Sequence, residues 1–248
     1  MKRITLLFAL VCLYHIAVFG QKKYEMVIEK TDGSEIVIKT EDIVRTYFRE
    51  ITSGTTPTPN TTCPDGNHPH LIDLGLPSGT KWSCCNIGAN APEESGGYYA
   101  WGETDEKSMY TWSTYLYGTK ENPVNIGADI QGSQYDVAVA KWGNTWCLPT
   151  SEQCQELINN TNSTWTTVNG INGWLLKGAN EGSLFLPAVG IKWDDRIHEN
   201  SKSGNYMTSS LIISDPENIW SIYFDKDDYI GLDPGLRPDG FSVRPISK

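Results

Sequence analysis

The chain has 248 residues, with 20 Lys and Arg against 30 Asp and Glu, a formal net charge of −10. Its positive charges form no cluster beyond the first three residues, and a dispersed acidic surface repels phosphate backbones, which excludes nucleic acid as a natural partner. The 39 % of hydrophobic residues is enough to build a globular core and rules out a fully disordered chain.

Met1, Lys2 and Arg3 form a positive leader, and residues 4–19 are an apolar run interrupted by Thr5, Tyr14 and His15. Small Gly20 then precedes Gln21. This layout predicts a signal peptide over residues 1–20 and a secreted or cell-surface protein. The run of 16 residues is shorter than the roughly 20 that cross a bilayer, so the mature chain is expected to carry no transmembrane span. An alternative is lipid attachment at Cys12, which the bulky Val11 before it opposes. Cleavage removes Lys2, Arg3 and no acid, leaving 18 basic and 30 acidic residues, a net charge near −12. Five cysteines remain, Cys63, Cys84, Cys85, Cys147 and Cys154. In an oxidising compartment some of an odd set pair. The first expectation is Cys63 with Cys84 or Cys85, because the hairpin turn at residues 77–79 returns those two toward the start of the domain. A bridge between Cys147 and Cys154 is the competing one.

Residues 21–51 read as a small β unit. Tyr24, Met26 and Ile28 alternate with Glu25, Val27 and Glu29, Asp32-Gly33 offers a turn, and Ile36 and Ile38 resume the alternation. Residues 40–48 follow as a helical turn or a third strand. So few strands are marginal alone, so this unit is expected to dock on the main domain or on a partner. Residues 52–62 have the Thr/Pro composition of a linker. The main domain, residues 63–248, opens with a hairpin of residues 71–76 and 80–86. On that second strand Cys84 would share a face with Trp82, and Cys85 would point away. Residues 135–142 predict a helix stopped by Gly143. A second helix starts at Thr150, whose capping box is completed by Gln153, with Cys154, Leu157 and Ile158 on one apolar face. Short strands are expected at residues 165–168, 174–177, 183–186, 218–224 and 240–244. The fold class is therefore α+β, with two long loops, 101–134 and 192–206.

Six strings punctuate this domain: IDLGLPSGTKW at 72–82, GYYAWGE at 97–103, WGNTWCLPT at 142–150, FLPAVG at 185–190, GNYMTSS at 204–210 and GFSVRP at 240–245. In this order the series resembles the major-paralogous-domain family (FISUMP) of surface and secreted proteins of gut bacteria. The resemblance implies a C-type-lectin-like domain over residues 63–248 and gives no common ligand or reaction. Met207 stands where that family usually has Trp. The related formylglycine-generating enzymes need a pair of copper-binding cysteines late in the domain, and this chain has none after Cys154. Trp193-Asp194-Asp195 is similar to the Trp-Asn-Asp string of calcium-dependent lectins.

The mature chain has three histidines, His68, His70 and His198, and lacks G-x-S-x-G, H-E-x-x-H and phosphate-loop motifs. No catalytic set, cofactor or metal site follows from it. Calcium is a possible partner, through Asp225, Asp227, Asp228 and Asp233 or through Asp194, Asp195 and Asn205, as side chains with hard oxygen ligands. Trp82, Trp101, Trp142 and Trp146 are expected in the core. Trp112, Tyr115 and Tyr117 are expected along an exposed loop, where rigid rings suit a sugar or a protein hot spot. Together with Trp193, Asp194, Asp195, Asn205 and Tyr206 they form the expected ligand surface. The reading is an exported, non-enzymatic module that presents loops to a glycan or protein. The alternative is a structural component of the cell surface, docked through its N-terminal β unit.

Overall fold

Short apolar strings broken by Gly, Pro and Asn favour several small sheets over one large one, and that is the architecture. A computed structural model describes residues 25–29, 35–39, 71–227 and 229–247, the first two segments as backbone. The chain divides into two compact units, residues 1–55 and 56–248. In the first, β1 (Glu25–Glu29) pairs antiparallel with β2 (Glu35–Lys39). The register sets Glu25 opposite Lys39 and Glu29 opposite Glu35. The leader, residues 40–48, the Thr/Pro stretch, Cys63, His68, His70 and Asp228 lie outside the described residues.

The second unit is α+β. Strands β3 (Leu71–Asp73), β4 (Lys81–Ser83), β5 (Trp146–Cys147) and β14 (Ile246–Ser247) make one sheet in the order β3-β4-β14-β5. The end of the chain is thereby threaded between two earlier segments. Strands β6 (Thr161–Val168), β7 (Ile171–Gly178) and β8 (Ser183–Pro187) form a meander. Strands β9 (Ile191–Trp193) and β10 (Arg196–His198) form a hairpin, and β11 (Ser203–Leu211), β12 (Asn218–Asp225) and β13 (Ile230–Leu236) a third antiparallel sheet. Helix α1 (Val137–Trp142) is capped by Asp136, whose carboxylate accepts the Ala138 and Val139 N–H groups. Burial pushes the pKa of Asp136 up, and four backbone donors oppose the shift. Helix α2 (Ser151–Asn159) carries the expected capping box of Thr150 and Gln153 and buries Cys154 and Leu157.

Among the described residues these elements enclose three buried clusters. One gathers Trp82, Cys147, Cys154, Leu157, Trp174 and Phe224; a second gathers Trp101, Trp146, Val137, Leu148, Phe241 and Val243; a smaller third gathers Tyr98, Ala100, Tyr110 and Tyr115, with Trp112 and Tyr117 packed against it. Trp82 and Trp101 are fully buried and Trp146 nearly so, while Trp142 is half-buried against the Trp146 ring.

Four expectations need correction. Strand β4 ends at Ser83, so Cys84 and Cys85 lie in a bend where strand alternation no longer applies; both are buried, with sulfurs 3.4 Å apart. No two sulfurs of the described residues lie at bonding distance, and the Cys147–Cys154 bridge is not formed. Helix α2 turns Cys154 inward as a free thiol, and burial raises its pKa well above the ordinary value, so it is an inert core group. Residues 240–244 are buried without being a strand, pairing only through single bridges such as Phe241 with Tyr99. Residues 192–206 are not one loop, since they hold most of the β9–β10 hairpin and the start of β11. Among the described residues no helix is long and apolar enough to cross a membrane.

Candidate functional site

Three segments far apart in sequence meet beside the β9–β10 hairpin. The Tyr110 N–H donates to the Asp194 carbonyl at 2.8 Å, and the Asp194 N–H returns to the Tyr110 carbonyl at 3.0 Å. One pair further, the Lys192 N–H donates to the Gly240 carbonyl at 2.9 Å, and the Gly240 N–H to the Lys192 carbonyl at 2.7 Å. These exchanged pairs are antiparallel ladder bonds. They set residues 110–112, 192–194 and 238–240 side by side around a pocket of about 400 Å³. Two glycines make the approach possible. A Cβ on Gly240 would stand 2.9 Å from Tyr110 Cε1 and 3.0 Å from Lys192 Cβ. Gly190, at φ +67°, has its Cβ direction blocked by the His198 carbonyl, so the hairpin can fold back onto it.

The pocket is walled by the rings of Tyr110, Trp112 and Trp193, with Leu236 and Pro238, and it carries two carboxylates, Asp194 and Asp239. Trp193 is 38 % exposed and lies flat on the His198 imidazole, centroids 3.6 Å apart and planes 11° from parallel. Asp194 opens the hairpin turn at φ 53°, the left-handed region that Asp tolerates better than most residues. Asp239 is half-buried. Its burial, and next the charge of Asp194, push its pKa up to about 7. Among the described residues neither carboxylate has an ion-pair partner. Lys192 and Lys107 hold their Nζ atoms 5.2 and 5.4 Å from the Tyr110 ring centroid, over the ring rather than in an ion pair with either acid. A desolvated carboxylate held beside a second one without compensation is costly, and such arrangements concentrate at functional sites. The Trp112 Nε1–H is likewise buried with no acceptor.

Of the expected ligand residues, the structure brings Trp112, Trp193 and Asp194 together in this pocket. Asp195 is exposed on the rim of the hairpin, next to Arg196 at 3.3 Å. The others lie elsewhere. Tyr115, expected on an exposed loop, is 6 % exposed. Its hydroxyl donates to the Trp101 carbonyl and accepts from Arg237 Nε, and burial raises its pKa. Tyr117 is half-buried, and the rings of Trp112, Tyr115, Tyr117 and Tyr135 run edge-to-face with centroids 5.6, 5.7 and 5.3 Å apart. In this ladder Tyr115 is internal, whereas Trp112, half-buried at one end, also lines the pocket. Asn205 and Tyr206 are buried in β11, where the Tyr206 hydroxyl donates to the Pro187 carbonyl.

In the acidic stretch at residues 225–233 the described carboxylates are spent locally. Asp225 accepts the Asp227 N–H, Asp227 pairs with Lys226, and Asp233 accepts the Tyr229 hydroxyl. Among the described residues no three metal-binding side chains gather. A second hollow of about 350 Å³ borders the buried Glu103. That carboxylate is already taken by the Lys107 ammonium at 2.8 Å and the Leu116 N–H at 2.9 Å, so it ties the loop together.

Sequence reasoning did not single out Tyr110, which opens the aromatic run of residues 110–117, and it missed Asp239. Asp239 sits in Arg237-Pro238-Asp239-Gly240, which reads as a plain turn, and only the pairing of Gly240 with Lys192 carries it to Trp193. No family model, curated protein or solved structure matches the chain.

Proposed function

We propose that this is an exported, non-enzymatic binding module whose C-type-lectin-like domain takes a glycan in the pocket between Trp112 and Trp193. The observation that carries the reading is the union of two indoles and two carboxylates in one cavity. A pyranose presents a C–H face that packs on an indole and an edge of hydroxyls that donate to carboxylate oxygens. The cavity volume falls within the roughly 300–1,000 Å³ of small-ligand sites. The leader sequence and the six strings of the FISUMP-like series support export and the domain type. Two short helices, small antiparallel sheets and long loops are in keeping with it. Calcium is not required, because the carboxylates act as hydrogen-bond acceptors. A glycan array probed with the purified chain, with and without a chelator, tests the proposal. Selective retention of one glycan class, unchanged by chelator and without hydrolysis, is the expected result. Absence of any glycan binding, or turnover of the bound glycan, overturns it.

A further inference from the structure

Resting on that glycan reading, we propose that the sugar held between Trp112 and Trp193 carries an ammonium group, an unacetylated amino sugar, seated against Asp194 and Asp239. A neutral sugar needs acceptors and donors in mixture. This pocket instead offers two acids and aromatic faces, and no cation of its own bonds to either acid. Carboxylates beside π-faces attract a cation through charge and ring quadrupole together. An ammonium would supply the compensation that burial denies Asp239, and its C–H ring would still pack on Trp193. The charged and titratable groups around Asp239 are Tyr110 and Lys107 on the long loop, Lys192 and Asp194 on the hairpin, His198 beneath Trp193, and Arg237 on its own segment, whose guanidinium is turned to the Tyr115 hydroxyl and the Val124 carbonyl. Lys192 already shows that a cation is accommodated at this aromatic wall, 5.2 Å from the Tyr110 centroid.

Two consequences follow from the chemistry. The pocket should prefer free-amine sugars to their N-acetyl forms, which have lost the charge and gained bulk. The preference should also be larger at pH 7 than at pH 5, because Asp239 goes from almost fully protonated to about half ionised over that range and the proton competes with the ammonium for the same oxygens.

The test is calorimetric titration of the full exported chain at pH 7 with a glucosamine tetrasaccharide and its N-acetylated counterpart, repeated for Asp239→Asn, the Asp194→Asn/Asp239→Asn double variant and Trp193→Ala. The expected result is at least tenfold tighter binding of the free amine, a preference that shrinks to about twofold in the double variant, and loss of both ligands in Trp193→Ala. Equal binding of the two sugars, both lost in Trp193→Ala, overturns the ammonium and leaves the glycan site standing. A free-amine preference that survives the double variant also overturns it, since the attraction would then come from the overall acidity of the chain. Binding of neither sugar overturns it as well, and the array then decides separately whether any glycan binds.

Discussion

Asp239 is the residue at which structure and chemistry are most at odds. An ordinary Asp titrates near 3.9, and here burial next to Asp194 moves it to about 7. The folded state therefore holds this proton more tightly than the unfolded chain. By linkage, the contribution of this group to stability is most favourable below about pH 4, declines as pH rises and is fully unfavourable above about pH 7. Asp239→Asn removes that dependence. Thermal melts are expected to show a variant stabler than the parent at pH 8 and little different at pH 4; a loss of stability at pH 8 would contradict the assignment. At Gly240 the constraint is space. Gly240→Ala puts a methyl against Tyr110 and Lys192, both held by backbone bonds, and overpacking of this kind costs about 1–3 kcal/mol. Denaturant titration is expected to report that loss, together with weaker ligand binding as Asp239 is pushed out of register with Trp193.

At the scale of the element, the helices were legible because their signals are local. Thr150 and Gln153 read as a capping box, and Cys154 and Leu157 as its apolar face, and all four hold. Thr150→Ala is expected to cost about 1 kcal/mol in denaturant unfolding, as an N-cap does. Strands were less legible where packing overrode composition. Strand β11, SGNYMTSSL, is polar by count yet buried along nearly its whole length between other elements, and β13 carries Gly231, Pro234 and Gly235. Neither alternates, so neither announced itself. The aromatic loop misled for a related reason. Its rings suit a ligand equally well, and long-range bonds such as that from Arg237 to Tyr115 are what show that Tyr115 packs inward. Tyr115→Ala is accordingly expected to cost about 3–5 kcal/mol, the range for a large buried ring, visible as a marked fall in melting temperature. Little change would mean that the ring is not core.

For the whole molecule, the α+β class follows from patterns that can be read along the chain, whereas the pocket cannot be. It is assembled from residues near 110, 193 and 239, and their meeting depends on two single-bridge contacts that no local periodicity encodes. Trp112, Trp193 and Asp194 were identifiable as candidates because large rings and acids on loops are the usual stuff of recognition. That they share a cavity with Asp239 is information held only by the fold. The nine tryptophans of the chain provide the most direct check. With the indole N–H groups isotopically labelled, a glycan selected on the array is titrated into the full exported chain and all the indole resonances are followed by NMR. The pocket reading predicts that Trp112 and Trp193 shift most, in parallel with occupancy, while the core indoles of Trp82 and Trp101 stay in place. Saturable shifts confined to other tryptophans, with Trp112 and Trp193 unmoved, would contradict it.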